Sequence, residues 1–366
     1  MLEISICNSL ERLIQLEREW NSLETEQKGF NVFMSFPWIA GWFRHIGNDA
    51  VPLIITARCD GKLAGLIPLA VKTGMVIPAG YPESDFIDVL CEDEVREEFL
   101  SEIFKFLFAN FSTSKLVYIK SVPEESGLYK CFSRFPAPSG FGSSLTYLSS
   151  CNTSDISSGW EDYFKSFSTK VCADFRRRWK IASGYGEVGF HVIAGDEITE
   201  EVINDAVSIN LAGRKALKKT AFFQDNRRIE FFKDLVKSSV IKKQMLVAFL
   251  KIGDKPAAYK ICFINGDEVW EYNTAFREEY ASCSPGKLLT LRLLEYLAQK
   301  GFKSYNFLKG DEPYKKDFAV PGRRLFIISL YRKNLISMLS YFYMVRGREI
   351  LRRSKFITDI YDRFFS

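Results

Sequence analysis

The sequence predicts a mixed α/β protein built from two halves of the same plan. Three observations carry that expectation. First, apolar runs meet at tight-turn dipeptides: VPLIITAR and LAGLIPLAV flank Asp60-Gly61, and AAYKICFI and EVWEYNTA flank Asn265-Gly266. Asp-Gly and Asn-Gly accept the positive φ of a short hairpin turn, so each pair reads as antiparallel strands. Second, each hairpin region is followed by a strand, an amphipathic helix and a further strand. A meander combined with such a crossover gives mixed sheets with helical layers, and not a doubly wound parallel sheet. Third, the order of elements repeats between the halves, although no residue-level identity accompanies it.

Along the chain, residues 2–7 read as a strand, and Asn8-Ser9 opens a helix with Leu10, Leu13, Leu16 and Trp20 on one face. Residues 36–46, FPWIAGWFRHI, form an aromatic helix with Pro37 in its first turn. Residues 84–90 suggest a strand, 94–110 an amphipathic helix and 115–121 another strand. The Ser-, Gly- and Pro-rich residues 136–158 read as the domain boundary or an exposed connection. A helix over 160–182 carries Arg176-Arg177-Arg178. A strand at 188–194 and helices near 198–214 and 225–239 follow. The meander 245–252, 257–264 and 268–275 comes next. A helix from Pro285 to about residue 300 ends at Gly301, and strands at 303–308 and 324–331 complete the pattern.

Composition narrows the function classes. The 366 residues are 47% hydrophobic and 26% charged, enough for two ordinary domains with real cores. No apolar run reaches the roughly 18 residues of a spanning helix, and Met1-Leu2-Glu3-Ile4 does not open like a signal peptide. The eight cysteines show no CxxC pair and the chain has two histidines, His45 and His191, so no metal site is expected. Reduced thiols and a cytoplasmic location are expected. The net charge of +5 resides in residues 331–366, where eight Lys and Arg face three acidic residues. The rest is neutral, which argues against a nucleic-acid-binding body.

The stretch Ser284-Pro285-Gly286-Lys287-Leu288 has its own chemistry. Pro285 suits the first helical position and Ser284 the cap before it. Gly286 bares the first turn, so the amides of 286–288 are expected to point outward, with Lys287 adding a full charge. A helix start of this kind suits phosphate. Local capping alone also explains these residues. What favours a ligand is the placement between a hairpin strand and its expected parallel neighbour, whose edge could carry a pantetheine arm.

Residues 160–318 resemble the GNAT-superfamily acyltransferases of the cellulose-biosynthesis type (CelD-like), a branch related to the Fem-type peptidyl transferases. The residues that carry the resemblance are Arg176-Arg177-Arg178, Tyr280, Ser284-Pro285-Gly286 with Leu288-Leu289, Ala298, Gly301, Asn306-Phe307, Gly310 and Tyr314-Lys315. In the first half, Trp38, Trp42 and Ser84-Asp85 are similar more loosely. The chain departs from the pattern at Asn306, where the family commonly has Asp, and we read that position as structural.

The resemblance implies two tandem GNAT-like domains and a tail. Residues 1–150 would be a degenerate domain helping to form the acceptor cleft, 151–331 the acyl-CoA-binding domain, and 332–366 a basic amphipathic helix. It implies acyl transfer from acyl-CoA, acetyl or longer, to an amine acceptor such as an amino sugar, sugar nucleotide or amino acid, in polysaccharide or envelope biosynthesis. Glu271 is then the leading general base, or else a strand carboxylate in a salt bridge. Tyr280 and Tyr314 would protonate the leaving thiolate or orient substrate, or be buried aromatics. Thr274, Ser284, Pro285, Gly286, Lys287 and Leu288 would hold the coenzyme. Asp85, Arg176, Arg178, Lys309 and Lys315 would hold the acceptor or its anionic groups; turn capping and solvated charge are the plainer readings.

The tail mixes LISMLSYFYMV with Arg and Lys, and is expected either to lie on the inner face of an anionic membrane or to pack on protein. Two other functions compete: an aminoacyl-tRNA-dependent transferase of the Fem type, and a non-catalytic GNAT-like scaffold.

Overall fold

The computed structural model describes residues 2–27, 31–110, 115–213, 220–310 and 312–347. The expected tail helix beyond Gly347, with Ile350, Leu351, Phe356, Ile357 and Phe364, lies outside the described residues. The chain divides into two compact units. One comprises described residues of 1–149 and of 324–366, and the other is Ser150–Arg323.

The first unit orders its strands as β1 (Leu2–Cys7), β2 (Val51–Cys59), β3 (Lys62–Lys72), β4 (Met75–Pro78), β6 (Leu116–Pro123) and β13 (Val320–Arg332), with the short β5 (Leu90–Cys91) against β3. The β2–β3 hairpin forms at Asp60-Gly61, both at positive φ. Strand β4 pairs parallel with β6, which makes the sheet mixed. Helix Arg96–Ala109 lays Phe99, Leu100, Ile103, Phe104 and Leu107 on the same core as Ile55, Ile67 and Ile119. In the aromatic helix Phe36–His45, each tryptophan satisfies its N–H: Trp38 Nε1 donates to Ser84 Oγ (2.9 Å) and Trp42 Nε1 to the Tyr81 carbonyl (3.1 Å).

The second unit orders its strands as β7 (Phe141–Asp155), β12 (Ser304–Lys309), β11 (Glu268–Phe276), β10 (Lys255–Asn265), β9 (Met245–Ile252) and β8 (Val188–Ala194). Helix Pro285–Gln299 is the crossover between the parallel strands β11 and β12. Its Leu288, Leu289, Leu293, Leu294 and Leu297 fill the core with Leu246, Leu250 and Tyr305. Among the described residues, no helix is long and apolar enough to cross a membrane.

Four expectations need correcting. Residues 136–158 contain a fifteen-residue strand, β7, in place of a connection. The run is rich in serine and lacks an alternating apolar face, and its residues Cys151–Asp155 pair with β12. Residues 84–89 form a buried loop, and only Leu90–Cys91 pair as strand. The helix over 160–182 is two helices, Trp160–Lys165 and Thr169–Tyr185, because Ser168 caps the second by accepting from the Val171 amide (3.3 Å). Residues 324–331 cluster with the first unit, since Leu325–Leu330 pair antiparallel with β6.

In helix Glu17–Thr25, burial pushes the Glu24 carboxyl up to about 8 from its usual 4.5. A folded pKa raised above the unfolded one contributes stability at low pH that is lost as pH rises through the folded value. Melting temperatures between pH 4.5 and 8 should therefore fall less steeply for Glu24→Gln than for the parent chain. Identical slopes would contradict the assignment.

Candidate functional site

Strands β11 and β12 pair in parallel over three positions: Glu268 with Ser304, Val269 with Tyr305, and Trp270 with Asn306. There the pairing stops, although β11 runs on to Phe276 and stays antiparallel to β10, with a register shift at Tyr272 between the pairs Cys262–Glu271 and Ile261–Asn273. On the other edge, β12 pairs no further with β11, and Thr274–Phe276 line a cavity there.

The parting has identifiable causes. A bulge interrupts the pairing of β12 with β7 between Asn306 and Lys309, and Leu308 there has φ +52°. Asn306 holds the bulge: its Oδ1 accepts the Leu308 amide (2.9 Å), and its Nδ2 donates to Glu268 Oε1 (3.1 Å). Asn306 thus has a structural task inside the sheet. The buried Lys315 locks the segment after β12 by donating to the carbonyls of Phe307 (3.0 Å), Gly310 (3.3 Å) and Lys309 (3.4 Å) and by pairing with Glu312 (2.8 Å). Its ammonium is saturated by the chain itself, which corrects its assignment to substrate.

A cavity of about 440 Å³ lies beside this open edge. Thr274, Ala275 and Phe276 of β11 line it, as do Ser284, Gly286 and Lys287 at the start of helix Pro285–Gln299 and Tyr314 and Glu312 from the segment after β12. Lys260, Asn210 and Gly213 complete its lining. Of the residues singled out in the sequence, Thr274, Ser284, Gly286, Lys287 and Tyr314 line this one cavity. Pro285 and Leu288 are buried beneath them in the helix start.

The helix start differs from the expectation in two ways. Ser284 adopts the left-handed region (φ 48°, ψ 63°), and its side chain does not cap the helix. Its hydroxyl accepts instead from Arg178 Nη1. The Lys287 and Leu288 amides both bond to the Ser284 carbonyl (3.0 and 3.4 Å), so of the three amides Gly286 alone is left to offer its N–H. A Cβ on Gly286 would meet Phe276 Cδ1 at 3.6 Å, an ordinary contact, so the glycine leaves room on the cavity side rather than relieving a clash. Two cations stand here, each beside an aspartate: Arg178 on Asp174 (2.6 Å) and Lys287 on Asp317 (2.5 Å).

Behind the cavity lies a buried polar cluster. Lys260 Nζ meets Glu271 Oε2 at 2.5 Å, Tyr305 donates to the same oxygen (2.6 Å), and Tyr314 donates to Oε1 (2.9 Å). Burial would raise the Glu271 pKa, but the Lys260 charge and these hydrogen bonds outweigh it and hold the carboxyl below its usual 4.5. Burial, then the Glu271 charge, pushes the Tyr314 hydroxyl well above its usual 10. Glu271 is therefore a poor proton acceptor with both oxygens engaged, which corrects its assignment as general base. Tyr314 is a hydroxyl that keeps its proton.

The remaining candidates lie elsewhere. Tyr280 is buried in the turn before the helix and packs edge-on to Tyr185 (5.6 Å, 83°). Arg176 is exposed, Lys309 is half-buried at the end of β12, and Asp85 is buried in the first unit. Sequence reasoning missed Lys260, Tyr305 and Asn210. The signal for Lys260 was present: one lysine inside the apolar strand AAYKICFI, facing a strand with a central glutamate. Asn210 gives none. Its side chain bridges the Phe223 amide (3.0 Å) and the Tyr259 hydroxyl (2.9 Å), a link between separate elements.

A strand pair that parts beside a bared helix start is the arrangement on which the comparisons bear. Residues 169–316 match the acetyltransferase (GNAT) domain family. That GNAT match takes in the open strand, the helix start and Tyr314, and spans less than half of the chain. No curated protein matches the chain. Solved structures are similar over most of its length. FemX is 11% identical, with 90% of this chain and 98% of that one covered and a TM-score of 0.56. The C-terminal domain (DUF2156) of a candidate lysylphosphatidylglycerol synthetase from Agrobacterium fabrum is 13% identical, with 93% and 97% covered and a TM-score of 0.54. At such identities the likeness carries the fold alone. The GNAT fold expected from the sequence is the fold observed.

The buried pair makes a stability prediction. Glu271→Leu strands the Lys260 ammonium and should cost about 3–5 kcal/mol. Lys260→Met with Glu271→Leu should cost clearly less than the two single changes together. Denaturant melts of the four proteins test this, and simple additivity would contradict the coupling.

Proposed function

We propose that the unit Ser150–Arg323 is an N-acyltransferase domain that takes its acyl group, acetyl or longer, from acyl-CoA. Its acceptor is an amine such as an amino sugar, sugar nucleotide or amino acid, in polysaccharide or envelope biosynthesis. The observation that carries the reading is the unpaired edge of β11 running toward the Gly286 helix start along one cavity. A pantetheine arm is a chain of amides, and a strand edge offers it donors and acceptors. The pyrophosphate would meet the Gly286 amide and the positive end of the helix, with Lys287 and Arg178 beside it.

This chain's residues divide the remaining chemistry. Tyr314 Oη is on the cavity wall with its proton given to Glu271, so it presents a lone pair that can accept from and orient the attacking amine, while the departing thiolate takes its proton from the amine or from water. Glu271 keeps that hydroxyl in position by accepting from it. Lys260 lines the cavity as a buried ammonium, favouring negative charge that develops on an attacked carbonyl. With Glu271 unsuited as base, the amine is expected to arrive neutral or to lose its proton to water.

Thermal shift with acetyl-CoA, a long-chain acyl-CoA and free CoA tests the reading: each should raise the melting temperature, and no shift with any of them would overturn it. Gly286→Asp puts a carboxylate where phosphate would sit. It should abolish the shift and leave the unliganded melting temperature nearly unchanged, since a Cβ there meets only ordinary contact. Tyr314→Phe should lower kcat by up to about a hundredfold through loss of orientation, with little change in the KM for acyl-CoA. An unchanged kcat would remove Tyr314 from the chemistry.

A further inference from the structure

Helix Leu335–Tyr341 and the wider helical turns Phe342–Gly347 that continue it are amphipathic the wrong way round. Leu335, Ile336, Met338, Leu339, Phe342 and Tyr343 follow the spacing of one helical face, yet all are exposed, from 50% for Tyr343 to 74% for Leu335. The side turned inward carries Ser337, 3% exposed, with Tyr341 stacked on Tyr331 (ring centroids 4.3 Å apart, 19° between planes). The helix is nonetheless well made: Asn334 caps it by accepting the Ser337 amide (2.9 Å). A firm helix that points its apolar stripe at solvent marks a surface made to be covered.

Charge identifies what covers it. No Asp or Glu occurs between Asp317 and Glu349, and Arg332 and Lys333 immediately precede the helix. Residues 331–366 carry the whole net charge of +5. A second copy of the chain would bring the same positive segment against itself. A nucleic acid would satisfy the charge and leave six apolar side chains in water. A bilayer surface with anionic headgroups satisfies both, since the apolar side chains reach the acyl boundary while Lys and Arg stay at the phosphates.

We propose that the Leu335–Tyr343 face docks on an anionic lipid surface and makes the protein peripheral to a membrane. This goes beyond the acyl-transfer reading and does not depend on it. Sedimentation of the full chain with vesicles of phosphatidylcholine alone, and of phosphatidylcholine with phosphatidylglycerol, tests it. The chain should pellet with the anionic vesicles, less so as salt is raised, and remain in the supernatant with the neutral ones. The double variant Ile336→Glu, Leu339→Glu changes two solvent-facing residues. It should melt as the parent chain does and bind anionic vesicles at least about tenfold more weakly. The proposal is overturned if the parent chain stays in solution with both vesicles, or if the variant pellets equally well. It is also overturned if light scattering shows a dimer that this variant dissociates, because the face then belongs to a second copy.

Discussion

Strands β11 and β12 pair for three residues and then part, and the candidate chemistry of the second unit depends on that parting. Had the ladder continued, the peptide groups of 271–276 would be satisfied and no cavity would lie beside them. The separation is enforced on the β12 side. The bulge at Asn306–Lys309, held by the Asn306 side chain, turns the strand away, and Lys315 fastens the segment after it through three carbonyls. The buried cluster of Lys260, Glu271, Tyr305 and Tyr314 sits beside the point of parting and fixes Tyr314 on the cavity wall.

Buried charge on this scale is not an efficient way to stabilise a fold, since apolar residues of similar volume would serve as well or better. What the cluster supplies is orientation. Glu271 accepts from two tyrosines and a lysine at once, so the Tyr314 hydroxyl has one defined partner and its proton has nowhere to go within the protein. A group held in that way presents a fixed acceptor to whatever enters the cavity. The two cations near Gly286 are arranged on the same logic. Arg178 and Lys287 rest on Asp174 and Asp317 and so remain ordered at the helix start.

Much of the fold could be read from the sequence wherever one local rule decided the structure. Asp60-Gly61 made its hairpin because the turn conformation demands positive φ at both residues, and Pro285 opened its helix because its φ is already set; the second hairpin turns one residue later than expected, at Gly266-Asp267, with Asn265 paired to Glu268. Reading failed where distant partners decide. Strand β7 is rich in serine, and its residues Cys151–Asp155 pair with β12. Ser284 obeys the composition of a cap, but its hydroxyl is taken by Arg178 from another helix. Glu271 was read either as a base or as a strand carboxylate in a salt bridge, and the lysine that makes the salt bridge and lowers its basicity lies on the neighbouring strand. Asn306 shows the converse: Asp or Asn could accept from the Leu308 amide, but only the amide nitrogen of Asn can also donate to Glu268 Oε1.

The central claim is that the free edge of β11 is where an acyl-CoA lies. Amide hydrogen exchange read by mass spectrometry, with and without CoA, tests it most directly. The account predicts that CoA slows exchange in the peptides covering 273–276 and 284–288 and leaves the helix Arg96–Ala109 of the first unit unchanged. Saturating CoA that protects neither segment, or protects a different surface, would contradict it.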